Sequence, residues 1–286
     1  MMQRTLVLLV PFVLAATATA QKPTLEWQKR STTIDYGSVP VGNHSLAELP
    51  IGQSWRLGAN QQTVWRTLVP VIAGDRVLAP GNYVIMLNRV GEASCAIAVG
   101  SEFRVEGPLN KLDKPAKKLV IDLPKNGAAV NGNQPANFVV QFGEHEWKGA
   151  FTVPGNKTVS VGAWKLTVFS LPAAHIDGRG KTEAPIAALS KDDKEGWNLF
   201  VGDSEAKLVP WPQVGSGMPG APAATPDPSL TTTGKVEASE IKIDGEKPVV
   251  ELVSAKLTKG SLVVELASGK GGLRVTVPEP KGKAGK

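Results

Sequence analysis

TVWRTLVPVIAGDRVLAPGNYVIMLNRVGEASCAIAV (Thr63–Val99) is the stretch whose reading decides the fold. Thr63–Leu68, Val69–Ile72, Arg76–Leu78, Asn82–Leu87 and Cys95–Val99 follow one another as short runs rich in β-branched and aromatic residues. Such runs, bounded by turn residues, read as strands. Ala73-Gly74-Asp75 closes a tight hairpin because glycine tolerates positive φ, and Ala79-Pro80-Gly81-Asn82 presets a turn with its proline. The pattern extends outward to Thr32–Tyr36, and then to Lys118–Leu123, Asn137–Phe142, Trp147–Val153, Lys157–Val161, Trp164–Leu171 and Trp197–Val201. Helical period is nearly absent, with Ala184–Lys194 as the one weak candidate. Many short strands punctuated by 30 Gly and 22 Pro predict an all-β chain, an antiparallel β-sandwich.

That sandwich is expected over residues 21–213. Gly215–Gly234, rich in Gly, Pro, Ala and Thr, lacks the apolar side chains that offset ordering entropy, so 214–234 reads as a disordered linker. Beyond it Val236–Ile243, Val249–Leu257, Ser261–Ala267 and Leu273–Val277 resume strand patterning and make a small C-terminal β segment, 235–279. A segment of that size buries too little to stand alone, so it is expected to dock on the main domain or on a partner. Residues 280–286 form a basic tail.

The amino terminus carries an export signal by its parts. Arg4 precedes the apolar run Thr5–Ala15, and Ala18-Thr19-Ala20 offers small residues to a peptidase, so residues 1–20 are expected to be removed. The run falls short of the roughly 20 apolar residues a spanning helix needs, and no transmembrane segment is expected after cleavage. The expected location is outside the cytoplasm, periplasmic or secreted. Cys95 is the single cysteine and sits in an apolar run, so no intramolecular disulfide forms and a buried thiol is expected. A net charge of +6 on 286 residues is modest, the basic residues are dispersed, and with export this argues against a nucleic-acid partner.

A second stretch carries a resemblance. Ile34-Asp35-Tyr36-Gly37 is followed by Leu49-Pro50-Ile51-Gly52-Gln53-Ser54-Trp55-Arg56-Leu57-Gly58-Ala59-Asn60-Gln61-Gln62-Thr63, and then by Gly74–Leu78 and Pro80-Gly81-Asn82-Tyr83. This resembles the bacterial exported domain-of-unknown-function family DUF 2911, with its I-D-Y strand, its W-R-x-G-A-N core and its G-x-x-L-x-x-G-x-Y hairpin. Ile51 stands where the family commonly has Tyr, and Gln53 where it often has Lys. The similarity runs through Lys111–Pro115 and Lys118–Val153, about residues 30–155. It implies an exported module without an established activity.

Asp35, Trp55, Arg56, Asn60 and Thr63 are the candidate ligand-binding residues. Arg56 can hold a carboxylate or phosphate while Trp55 stacks on a sugar or base; the reading set ahead of this for the cluster is structural, with Arg56 paired to Asp35 and Asn60 satisfying a turn. No catalytic residue is nominated, because no nucleophile elbow, zinc-protease pair or phosphate loop appears. His44, His145 and His175 lack metal-ligand spacing, and in Gly143–Trp147 a strand would set His145 opposite Glu144 and Glu146, so neither metal nor cofactor is expected. The leading expectation is a non-enzymatic binding or structural module contacting an envelope component or a protein. The alternative is an extracytoplasmic hydrolase with a site assembled from distant strands.

Overall fold

The computed structural model describes residues 20–58, 62–100, 103–171, 184–214, 228–239, 247–269 and 271–280. Within them the chain is all-β, arranged in three sheets. The expected signal segment up to residue 19, Asn60, His175, the linker over 215–227 and the tail 281–286 lie outside the described residues. No helix among the described residues is long and apolar enough to cross a membrane.

The first sheet holds β1 (Ala20–Gln21), β2 (Thr24–Trp27), β3 (Arg30–Gly37), β5 (Val64–Thr67) and β8 (Gly81–Val84), in the order β1-β3-β5-β8 with β2 also on β3. Strand β3 alternates as its sequence demands. Arg30, Thr32, Ile34 and Tyr36 are buried, while Ser31, Thr33 and Asp35 face outward.

The second sheet runs β4-β9-β10-β11-β12-β6-β7, comprising β4 (Ser54–Trp55), β6 (Val71–Ala73), β7 (Arg76–Leu78), β9 (Met86–Gly91), β10 (Ser94–Val99), β11 (Phe103–Asp122) and β12 (Gln134–Val153). The two sheets close on one core in which the Trp65 ring meets Phe138 and Phe151 edge-on, with centroids 5.3 and 5.8 Å away. Gly74 turns β6 into β7 at φ +59, as its position in the sequence requires. The run expected as one strand over Asn82–Leu87 is a corner instead. It leaves the first sheet at Val84 and joins the second at Met86, with Ile85 fully buried between them and its N–H donating to Thr63 O at 3.1 Å.

The third sheet is nine-stranded, in the order β13-β14-β15-β16-β17-β18-β21-β20-β19: β13 (Asn156–Val161), β14 (Trp164–Phe169), β15 (Ala187–Ser190), β16 (Gly196–Val201), β17 (Glu205–Pro210), β18 (Thr232–Ser239), β19 (Lys247–Thr258), β20 (Ser261–Gly269) and β21 (Gly271–Pro278). It curls until its ends approach, β19 lying against β13 and β14, and Val250 N–H donates to Leu171 O at 3.0 Å. The curled sheet encloses a second core, in which Trp164 meets Trp197 edge-on with centroids 5.4 Å apart.

Two expectations are corrected here. The helix candidate Ala184–Lys194 contains β15, a central strand buried on both faces: Ala187 and Leu189 enter the second core and Ala188 enters the first. Pairing on both sides by β14 and β16 overrides the local composition. The C-terminal strands dock by edge pairing and continue the third sheet, β18 pairing with β17 from Glu205↔Lys235 to Leu208↔Thr232, and the correction falls on the bounds of the linker. Thr232–Gly234, expected as linker, belongs to β18, and a Cβ at Gly234 would collide with Thr276 O across the strand pair. The first core is left instead between Val153 and Asn156, where β12 ends and β13 begins.

Limited proteolysis is expected to cut first within 215–227, the run richest in Gly and Pro, because it offers the fewest packing contacts by composition. The fragment carrying β18 to β21 stays with the rest through native size-exclusion chromatography, since the cut spares the β17–β18 ladder and the second core. A C-terminal fragment eluting alone contradicts the nine-stranded sheet.

Candidate functional site

The described residues of the segment that the sequence singles out, 54–58 and 62–63, are built as a brace. Trp55 packs on the first core, its ring 4.8 Å from Phe142 between centroids, and pairs in register with Leu87. Leu57 is fully buried, and its carbonyl accepts the Thr63 hydroxyl, which is itself fully buried. Gly58 sits at φ +105, and a Cβ there would lie 2.8 Å from Gly37 O, so the glycine lets the loop close against β3. Arg56 is half-buried and finds no ion pair or hydrogen bond among the described residues. The expected Arg56–Asp35 pair is therefore corrected. Arg56 lies beyond β4, an edge strand of the second sheet, whereas Asp35 projects from the outward face of the first.

Asp35 belongs to a different constellation. Its Oδ2 accepts the Arg66 Nε–H at 2.8 Å, and the Lys22 ammonium stands 3.1 Å from Oδ1. The lysine supplies charge rather than a well-directed bond, because buried Oδ1 has no hydrogen-bond partner among the described residues. Arg66 lies directly opposite Thr33 on β3 and opposite Asn82 on β8, so Thr33, Arg66 and Asn82 form one row across the outward face of the first sheet. Over that row opens a cleft of about 550 Å³.

The third sheet supplies the far wall. Asp193, Lys194 and Glu195, in the turn between β15 and β16, line one side, and Trp211 and Gln213, just past β17, line the other. Both are tied to the first sheet. Asn82 N–H donates to Pro212 O at 3.0 Å and its side-chain amide donates to Gln213 Oε1 at 2.8 Å, while the Trp211 indole donates to Asn198, whose own amide reaches Pro80 O at 2.9 Å. On the opposite side Arg30, only 6% exposed, crosses from the β2–β3 turn. Its Nη1 meets Asp193 Oδ1 at 2.5 Å, and its Nε and Nη2 donate to the Thr167 hydroxyl at 3.0 and 2.5 Å.

Burial pushes the Asp193 carboxyl up, but the hydrogen bond and charge of Arg30, with Lys165 at 3.6 Å, outweigh it and hold the group below the ordinary carboxylate range. Near His145 the ladder is irregular: Gly143 takes φ +62, and β11 shifts register against β12 between Lys111, opposite His145, and Ala116, opposite Gly143. Glu144 is exposed while Glu146 is buried; burial raises its carboxyl, yet hydrogen bonds from Lys148 and Gln141 hold it low. No cluster of His, Cys, Asp or Glu among the described residues has metal-site geometry. Cys95 is fully buried and its thiol is pushed up by burial, a structural thiol.

Of the sequence candidates, the structure joins Trp55 and Thr63 in the brace and sets Asp35 in the cleft. Arg66 is the cleft residue the sequence reading passes over. The available signal was a charged side chain in a strand otherwise buried, Val64-Trp65-Arg66-Thr67. Comparison with family models, with curated proteins and with solved structures finds no match.

Because the folded Asp193 carboxyl is held low, the pair it makes is stabilising above the unfolded-state value near 3.9 and is lost as pH falls through the folded value. The stability advantage of wild type over Asp193→Asn is expected to be full near neutrality and to shrink as the solution is acidified below that range. Urea denaturation followed at stepped pH reads this directly. Curves that stay parallel down to the acid transition contradict an ionised Asp193 on Arg30.

Proposed function

We propose that the chain is an exported, non-enzymatic binding module, similar to the DUF 2911 family, and that its ligand sits in the cleft between the first and third sheets. The observation that carries this reading is the row Thr33, Arg66 and Asn82, presented on rigid strands beneath a recess of about 550 Å³. That volume lies within the range of small-molecule sites. Sites built on strands hold their geometry better than sites on loops. Trp55, Leu57 and Thr63 are assigned to the brace, because the Trp55 ring packs on Phe142 and the Thr63 hydroxyl is spent on Leu57 O. The hydrolase reading is less favoured. Asp193, held below the ordinary carboxylate range by Arg30 and Lys165, is neither a proton donor near neutrality nor a strong proton acceptor. An envelope component is the proposed source of the ligand.

Filling the cleft tests the proposal. Thr33→Trp puts a large side chain over the floor at an outward-facing position of β3. Purified envelope polysaccharide is expected to raise the melting midpoint of wild type and to leave that of Thr33→Trp unchanged. An equal shift in both proteins, or none in either, overturns the assignment of the cleft.

A further inference from the structure

Arg66 narrows the ligand. Its Nε is committed to Asp35, and its Nη1 and Nη2 have no partner among the described residues in a side chain 55% exposed at the cleft floor. Asp35 is 17% exposed and is faced on its other oxygen by Lys22, so the guanidinium is held from behind and keeps one edge outward. That edge offers two parallel N–H donors, the geometry that receives a planar carboxylate or a phosphate in bidentate fashion.

The charge that lines the cleft is balanced. Lys22, Arg66 and Lys194 line the cleft, and Arg30 and Lys165 stand behind Asp193. Against the three lining cations stand three lining carboxylates, Asp35, Asp193 and Glu195; Asp35 is met by Lys22 and Arg66 and Asp193 by Arg30 and Lys165, so the outward edge of Arg66 is the group that receives an anion. The remaining lining mixes hydroxyl and amide groups, from Ser31, Thr33, Asn82 and Gln213, with the apolar surface of Leu68 and Trp211, a combination that suits both the hydroxyls and the C–H face of a sugar ring.

We propose that the cleft binds an acidic saccharide, its carboxylate seated on the Nη1/Nη2 edge of Arg66, with Asp35 as the positioning residue that fixes the guanidinium. This rests on the cleft being the binding site, and it adds the ligand class. Titration calorimetry of the mature chain with digalacturonate, with a neutral disaccharide of the same linkage and with inorganic phosphate separates the outcomes. Digalacturonate is expected to bind at least about tenfold more tightly than either of the others, each such factor being about 1.4 kcal/mol. Arg66→Lys keeps the charge but loses the fork, and is expected to forfeit that tenfold while its melting midpoint stays at the wild-type value. Asp35→Asn is expected to weaken digalacturonate and leave the neutral disaccharide unaffected.

Equal binding of the neutral disaccharide overturns the acidic class while leaving a polyol cleft standing. Phosphate binding as tightly as digalacturonate reduces the site to an unselective cation and overturns the proposal. So does an Arg66→Lys protein that binds like wild type. No binding by any of the three probes also overturns it, and the polysaccharide test on Thr33→Trp then judges the cleft independently.

Discussion

Arg30 is the constraint on which the arrangement depends. A guanidinium removed from water is costly unless charge and hydrogen bonds replace its hydration, and here they come from the third sheet, not from its own. Asp193 and Thr167 receive it across the boundary between the two cores. The pairing can form only when β3 and β14 stand in one relative position. The turn that carries Asp193 is thereby held, and with it the wall of the cleft opposite Arg66.

Other cross-boundary contacts act in the same sense. Gln28 and Lys29 adopt positive φ in the turn before Arg30, and the Gln28 side-chain Oε1 accepts the Asn156 N–H at 2.5 Å where the third sheet begins. Phe169, Leu171 and Trp211, from the third sheet or its margins, are buried in the first core. The boundary is thus part apolar seal and part polar latch. The apolar part supplies most of the burial energy, and the directed bonds of Arg30 and Asn82 fix the register. A cleft at such a junction inherits its shape from both sheets.

Much of the fold was legible because period-2 alternation survives wherever a strand has one wet face, as in Ser31, Thr33 and Asp35 of β3. It failed where both faces are covered. Strand β15 has no polar face to mark it, and Glu205–Pro210 offers only a brief alternation. The partition was misread for a related reason. Composition drew attention to 214–234, whereas the chain changes cores over Pro154-Gly155, too short to stand out, and sequence cannot show that β17 and β18 meet across the intervening run. At the site, Asp35 was legible as the one carboxylate in its strand. Its partner was not, because Arg56 sits in the more conspicuous motif while Arg66 is brought opposite by pairing between β3 and β5.

A double-mutant cycle on Arg30 and Asp193 tests the latch most directly. Arg30→Ala, Asp193→Ala and the double variant are compared by urea denaturation at neutral pH. The account predicts that the two losses are not additive, with a coupling of at least about 1 kcal/mol, because each residue is the other's counter-charge across the boundary. Losses that simply add would contradict it, and would mean that the two cores are held together without the pair.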